Sequence, residues 1–92
     1  MHDDPNQAWE QYTAALGVAL ARARATRGLS QEQVAYAAGI AAFSYRKLEK
    51  GESNPGTPAN PRLRTLVALA GVLGVPVAAL LPPEPDGVTA WK

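Results

Sequence analysis

Apolar positions along this chain fall at spacings of three and four, and glycines and prolines divide them into blocks. From Asn6 to Arg27, the residues Trp9, Tyr12, Leu16, Ala19, Leu20 and Ala23 form one stripe, the pattern of a helix with one buried face. Asp4-Pro5 supplies its opening, an acidic cap followed by proline in the first turn. Arg22, Arg24 and Arg27 complement the dipole near its end, and Gly28 can take the left-handed conformation that stops it. Ser30 with Gln33 three residues on has the form of a capping box. It opens a second helix from Gln31 to about Ala38, with Val34, Ala35 and Ala38 inward and Gly39 as the stop. A third helix runs from about Ala42 to Lys50, with Tyr45 and Leu48 inward and Gly51 at its end.

The stretch 52–60 (ESNPGTPAN) reads as a loop. Asn60-Pro61 then reopens a helix whose buried stripe is Leu63, Leu66, Leu69, Ala70 and Leu73. Gly74 stops it, and Pro76 starts a short fifth helix through Val77, Leu80 and Leu81. No alternating pattern of useful length suggests a strand. The expected fold class is therefore all-α, with five helices. Residues 1–13 read as an N-terminal extension of the first helix, 14–82 as the domain, and 83–92 as a flexible C-terminal tail. Trp9 and Tyr12 either cover the core or build a dimer interface, and Trp91 poses the same question.

Composition narrows the function. Ninety-two residues make one domain, and 47% apolar content is enough for a core. The absence of cysteine excludes disulfides and thiolate zinc sites, and the single histidine, His2, excludes a two-histidine metal site. No cofactor is implied. The start Met-His-Asp-Asp-Pro lacks a signal peptide's basic and apolar regions. The uncharged run from Leu66 to Leu81 covers sixteen residues and is broken by Gly74-Val75-Pro76, which suits two buried helices better than a membrane span. A cytoplasmic location is expected. The net charge of +1 conceals an asymmetry, because Arg22 to Arg64 carries eight basic and three acidic residues while the flanks are acidic. A basic centre suits a polyanion partner, and ordinary surface charge fits it equally.

Two short helices joined by a glycine turn, Gln31–Ala38 and Ala42–Lys50, have the arrangement that presents one helix to a DNA major groove, which is about 12 Å wide. Ala35, Ala37 and Ala38 are small enough to let the two helices approach. The run Leu29-Ser-Gln-Glu-Gln-Val-Ala35, then Ala38-Gly-Ile40, then Tyr45-Arg-Lys-Leu-Glu-Lys-Gly51 resembles the Cro/repressor-type, or XRE-like, helix-turn-helix family. Leu16 to Arg24 and Leu66 to Val75 resemble its flanking helices, so the likeness covers roughly 14–82 and needs no gap from Leu29 to Gly51. It implies a compact five-helix, lambda-repressor-like domain that binds double-stranded DNA.

The resemblance also implies roles. Gln31 falls where members contact a phosphate, and Ala42, Phe43 and Lys47 fall where they read base edges. Ser44 and Arg46 fall beside those positions, next to phosphate or sugar. Arg24 and Glu49 match a structural ion pair, and Tyr45 and Leu48 match core positions. The chain departs from the family at Ala41, which is often a capping serine or threonine, and in a longer loop after the third helix. Lys50, Arg62 and Arg64 are either phosphate contacts or solvated surface, Lys47 either meets guanine O6 or N7 or is solvated, and Phe43 either meets thymine methyl groups or packs against protein.

The implied function is a sequence-specific transcription regulator of bacterial or phage type, a repressor acting as a homodimer on a palindromic operator. The alternative on the same fold is an antitoxin or protein-interaction module. A non-enzymatic role is expected, because Glu32, Glu49 and Glu52 read as helix surface, ion pair and loop.

Overall fold

The computed structural model describes residues 5–88 and residue 90. In chain order these form α1 (Pro5–Arg27), α2 (Gln31–Ala38), α3 (Ala42–Glu49), β1 (Glu52–Asn54), β2 (Thr57–Pro58), α4 (Leu63–Leu73) and α5 (Val77–Leu80). Asp4, expected to cap α1, and Trp91 lie outside the described residues.

Local chemistry explains most boundaries. Gln33 N–H donates to Ser30 Oγ at 3.0 Å, and Ser30 N–H donates to Gln33 Oε1 at 2.8 Å. This reciprocal pair satisfies two donors at the start of α2, a cap of about 1 kcal/mol. Lys50 forms the C-cap of α3, one residue short of the expected end. Leu16 and Leu20 of α1, Val34 of α2, Tyr45 and Leu48 of α3, and Leu66, Leu69 and Leu73 of α4 meet in one buried cluster closed by Leu80 of α5. Fully burying each leucine stabilises the fold by about 1.5–3 kcal/mol before chain entropy is charged against it.

The all-α expectation needs correction. Within 52–60, β1 and β2 pair antiparallel, with Glu52 opposite Pro58 and Asn54 opposite Thr57. Pro55-Gly56 forms the tip, with Gly56 at φ 80°. Proline presets the first central residue and glycine supplies the positive φ of the second, the combination a type II turn requires. Strands of three and two residues are too short to carry a legible alternation.

The start of α4 is also corrected. Its N-cap is Arg62, in extended conformation, rather than Asn60. Ala59 is the cause. It is fully buried, its N–H donates to Gly51 O at 2.8 Å, and its carbonyl accepts Trp9 Nε1–H at 3.0 Å. These bonds tie the chain to the hairpin and to α1 before a helix can begin. Leu63 consequently occupies the first helical position and is 70% exposed rather than buried. Ala37 is exposed too, so Ala35 and Ala38 alone supply the small surface of α2. Pro76 caps α5 from outside, and Leu81 is exposed beyond its end.

Trp9 and Tyr12 stack with ring centroids 5.3 Å apart and lie half-buried. The Trp9 hydrogen bond to Ala59 shows this face of α1 packing on its own chain. No described helix is long and apolar enough to cross a membrane.

Candidate nucleic-acid interface

The turn between α2 and α3 is set by Gly39, whose φ of 77° places it in the left-handed region. Gly39 N–H donates to Tyr36 O at 3.2 Å and Ile40 N–H to Ala35 O at 3.0 Å, which uses the last carbonyls of α2 and reverses the chain. The N-cap of α3, Ala41, provides no side-chain hydrogen bond. Tyr45 and Leu48 point α3 into the core, so its opposite face is turned outward.

On that outward face Phe43 is 63% exposed and Ser44 is exposed. Lys47 sits over the Phe43 ring with Nζ 4.1 Å from the centroid, and the same Nζ reaches Asn54 Oδ1 at 3.5 Å. Ala42 is half-buried and packs against the core, so it offers only part of its methyl surface outward. A cleft of about 470 Å³ runs beside these residues and is lined by Ser44, Lys47, Ser53, Asn60 and Arg62 among others. Arg62, Arg64 and Lys50 are exposed, and none of them forms an ion pair among the described residues.

Besides Lys47, two more expected contact residues are engaged within the protein. Gln31 Nε2 donates to Glu49 Oε1 at 2.8 Å, which holds the side chain inward. What remains to meet a phosphate at this position is the backbone amide in the first turn of α2. Arg46 Nη1 lies 3.3 Å from Glu32 Oε2, an exposed ion pair linking α3 to α2. An exposed pair of this kind is worth at most about 1 kcal/mol, so it yields readily to a stronger anion.

Arg24 and Glu49 form the expected ion pair. Arg24 Nε meets Glu49 Oε2 at 2.6 Å and Nη2 meets Oε1 at 3.0 Å, while Nη1 donates to Leu29 O at 3.1 Å. The fork binds the carboxylate through two parallel bonds, the strong form of this interaction. Burial alone would raise the Glu49 carboxyl, but the hydrogen bonds from Arg24 and Gln31 oppose it and hold its pKa below the ordinary range. The bond to Glu49 raises the Arg24 pKa against the opposing effect of burial. Tyr45 lies beside this pair, its hydroxyl buried without a hydrogen-bond partner, and burial pushes its pKa well up.

The geometry of α2, its glycine turn and α3 agrees with comparison to known proteins. A family model described as a helix-turn-helix domain matches residues 15–81. The chain belongs to the helix-turn-helix family. The restriction-modification controller protein C.AhdI from Aeromonas hydrophila has a similar crystal structure, with TM-score 0.66 and 26% identity over 75% of this chain and 96% of that one. No curated protein matches.

Within this helix-turn-helix domain, sequence reasoning missed two kinds of residue. The first is the hairpin side of the cleft, Ser53 and Asn54, whose placement beside Lys47 depends on a fold of 52–58 that leaves no periodic trace. The second is Gly17. A β-carbon there would stand 2.8 Å from Leu48 O and overlap the Glu49 backbone. A lone glycine inside the α1 stripe was the available signal, because such a glycine marks a close approach.

Proposed function

We propose that this helix-turn-helix protein is a sequence-specific, double-stranded-DNA-binding transcription regulator that acts as a dimeric repressor. The observation that carries the reading is the outward face of α3, where Phe43, Ser44 and Lys47 stand free of the core beside a cleft that also holds Arg62. Lys47 and Phe43 supply a donor and an apolar surface for base edges. Arg62, Arg64, Lys50 and the first-turn amide of Gln31 supply phosphate contacts that set register without choosing sequence. The similarity to a restriction-modification controller protein supports a regulatory role.

A single domain of this size has a small footprint, and a second copy on a two-fold operator provides the missing specificity. The outer face of α4 supports such a dimer. Leu63 and Val67 are 70% and 53% exposed, and Gly71, with open space over it, continues the exposed, uncharged stripe as far as the Arg27 guanidinium beside Gly74. Antiparallel pairing of two copies places the bulky half of one stripe against the glycine half of the other. Bound over a promoter, the dimer represses by excluding polymerase.

The test is selection from a randomised duplex library at about 0.15 M salt, followed by sequencing. The expected result is an enriched palindrome with half-site centres about 10 base pairs, or a multiple, apart. Weak, salt-sensitive binding without enrichment refutes sequence-specific recognition.

A further inference from the structure

The hairpin β1–β2 brings Asn54 beside Lys47 on the outward face of α3, and this contact fixes which end of its carboxamide points away from the protein. Lys47 Nζ lies between the Phe43 ring, 4.1 Å away, and Asn54 Oδ1, 3.5 Å away. An ammonium group has donors only, so the carbonyl end of the Asn54 carboxamide faces it and the NH₂ end faces away. Asn54 is itself exposed, as are its neighbours from Ser53 to Thr57, so the outward NH₂ group is accessible.

We propose that Asn54 is a specificity-determining residue that acts with Lys47 as a donor-only unit and selects a base edge rich in acceptors, guanine above all. The proposal rests on the reading of this face as a DNA-binding surface. An unconstrained asparagine reads adenine with one donor and one acceptor, to N7 and from N6. With Oδ1 turned to Lys47, that pairing is lost and two N–H donors remain. Lys47 contributes its remaining donors to the same neighbourhood. Guanine offers O6 and N7 in the major groove, and thymine offers O4 alone. The Phe43 ring, 4.1 Å from the ammonium nitrogen, attracts it to the side where Asn54 lies and favours the two residues acting together.

The experiment is library selection, followed by affinity measurements on the enriched operator and single-base variants, for the wild type, Asn54→Ala, Asn54→Asp, Lys47→Ala and the Asn54→Ala/Lys47→Ala pair. Thermal melts accompany each variant, and Asn54 substitutions should leave them unchanged because the side chain is exposed. The wild type should enrich guanine in each half-site at a position that Lys47→Ala relaxes. Asn54→Asp keeps an oxygen for Lys47 but removes the donors, and should reduce the guanine preference there by at least about fivefold. Asn54→Ala should do the same, and the double variant should lose less than the two single losses combined. If the Asn54 variants select the wild-type operator with unchanged preference while Lys47→Ala does not, the proposal is overturned and the DNA-binding reading stands. Enrichment of adenine at the Asn54-dependent position overturns the donor-only pairing. If the wild type enriches nothing, both readings fail together.

Discussion

The backbone of Glu49 rests directly on Gly17. A β-carbon at position 17 would overlap the Glu49 carbonyl, and Leu48 O would stand 2.8 Å from it. The end of the helix that presents Lys47 is thus set against α1 with no side chain between them. Gly17→Ala would normally favour a helix by roughly 1 kcal/mol. Here it should instead destabilise the protein by about 1–3 kcal/mol, because the added methyl must push α3 away from α1. Urea denaturation measures the stability change, and operator affinity should fall with it. A more stable Gly17→Ala protein would contradict the close approach.

Arg24→Ala should cost about 3 kcal/mol, since Glu49, 7% exposed while Arg24 covers it, loses its paired cation and keeps Gln31 as a donor. Chemical denaturation at neutral pH checks this. Arg24→Lys should recover only part of the loss, because a lysine cannot reproduce the two parallel bonds to the carboxylate.

The Glu49 pKa is held below its ordinary value, so in acid the unfolded chain binds the proton before the folded chain does. The contribution of this carboxylate is complete above about pH 4.3, and it is lost as the pH falls from there through the folded pKa. Stability measured against pH should decline on that acid limb. Glu49→Gln should remove this part of the pH dependence while lowering stability at neutral pH.

Ala41→Ser should stabilise the protein. Position 41 has the extended conformation of a cap, with φ −67° and ψ 138°, but no side chain able to accept a hydrogen bond from the first turn of α3. A hydroxyl there should add about 0.5–1 kcal/mol, read as a rise in melting temperature. A lower melting temperature would mean that the serine side chain cannot reach the first-turn amides.

Arg62→Ala and Lys47→Ala should fail in different ways. Loss of a phosphate contact at Arg62 should weaken binding to all duplexes alike and reduce the salt slope by about 1. Loss of Lys47 should relax choice at one or two base pairs. Affinity titrations over a range of salt, on operator and random duplexes, separate the two. Identical profiles for the two variants would refute the division of roles.

The helices were readable because their boundaries are written in local chemistry. Ser30 with Gln33, Gly39 and Gly74 act within one turn of their own positions. The hairpin was not readable, because five strand residues cannot show a period and its turn signal also fits an open loop. Asn60-Pro61 has the composition of a helix start, and the long-range anchoring of Ala59 by Gly51 and Trp9 overrides it. Among the candidate contact residues, Phe43, Ser44 and Lys47 could be placed outward once Tyr45 and Leu48 were placed inward. The engagement of Gln31 by Glu49, of Arg46 by Glu32 and of Lys47 by Asn54 could not be anticipated, because each joins separate elements.

Gly17, Arg24 and Gln31 all hold α3 through Glu49 or its backbone, on the side away from Phe43 and Ser44. The two exposed positions can therefore change identity without entering the contacts that keep the helix in place. On the proposed reading of α3, a lineage carrying this chain can explore new operators by single substitutions at Ser44 while its folding stability stays nearly constant, whereas a change at Phe43 also removes the ring that faces Lys47. Lys47 is less free to drift, because each replacement must suit Phe43 and Asn54 together, so retargeting through it requires coordinated change.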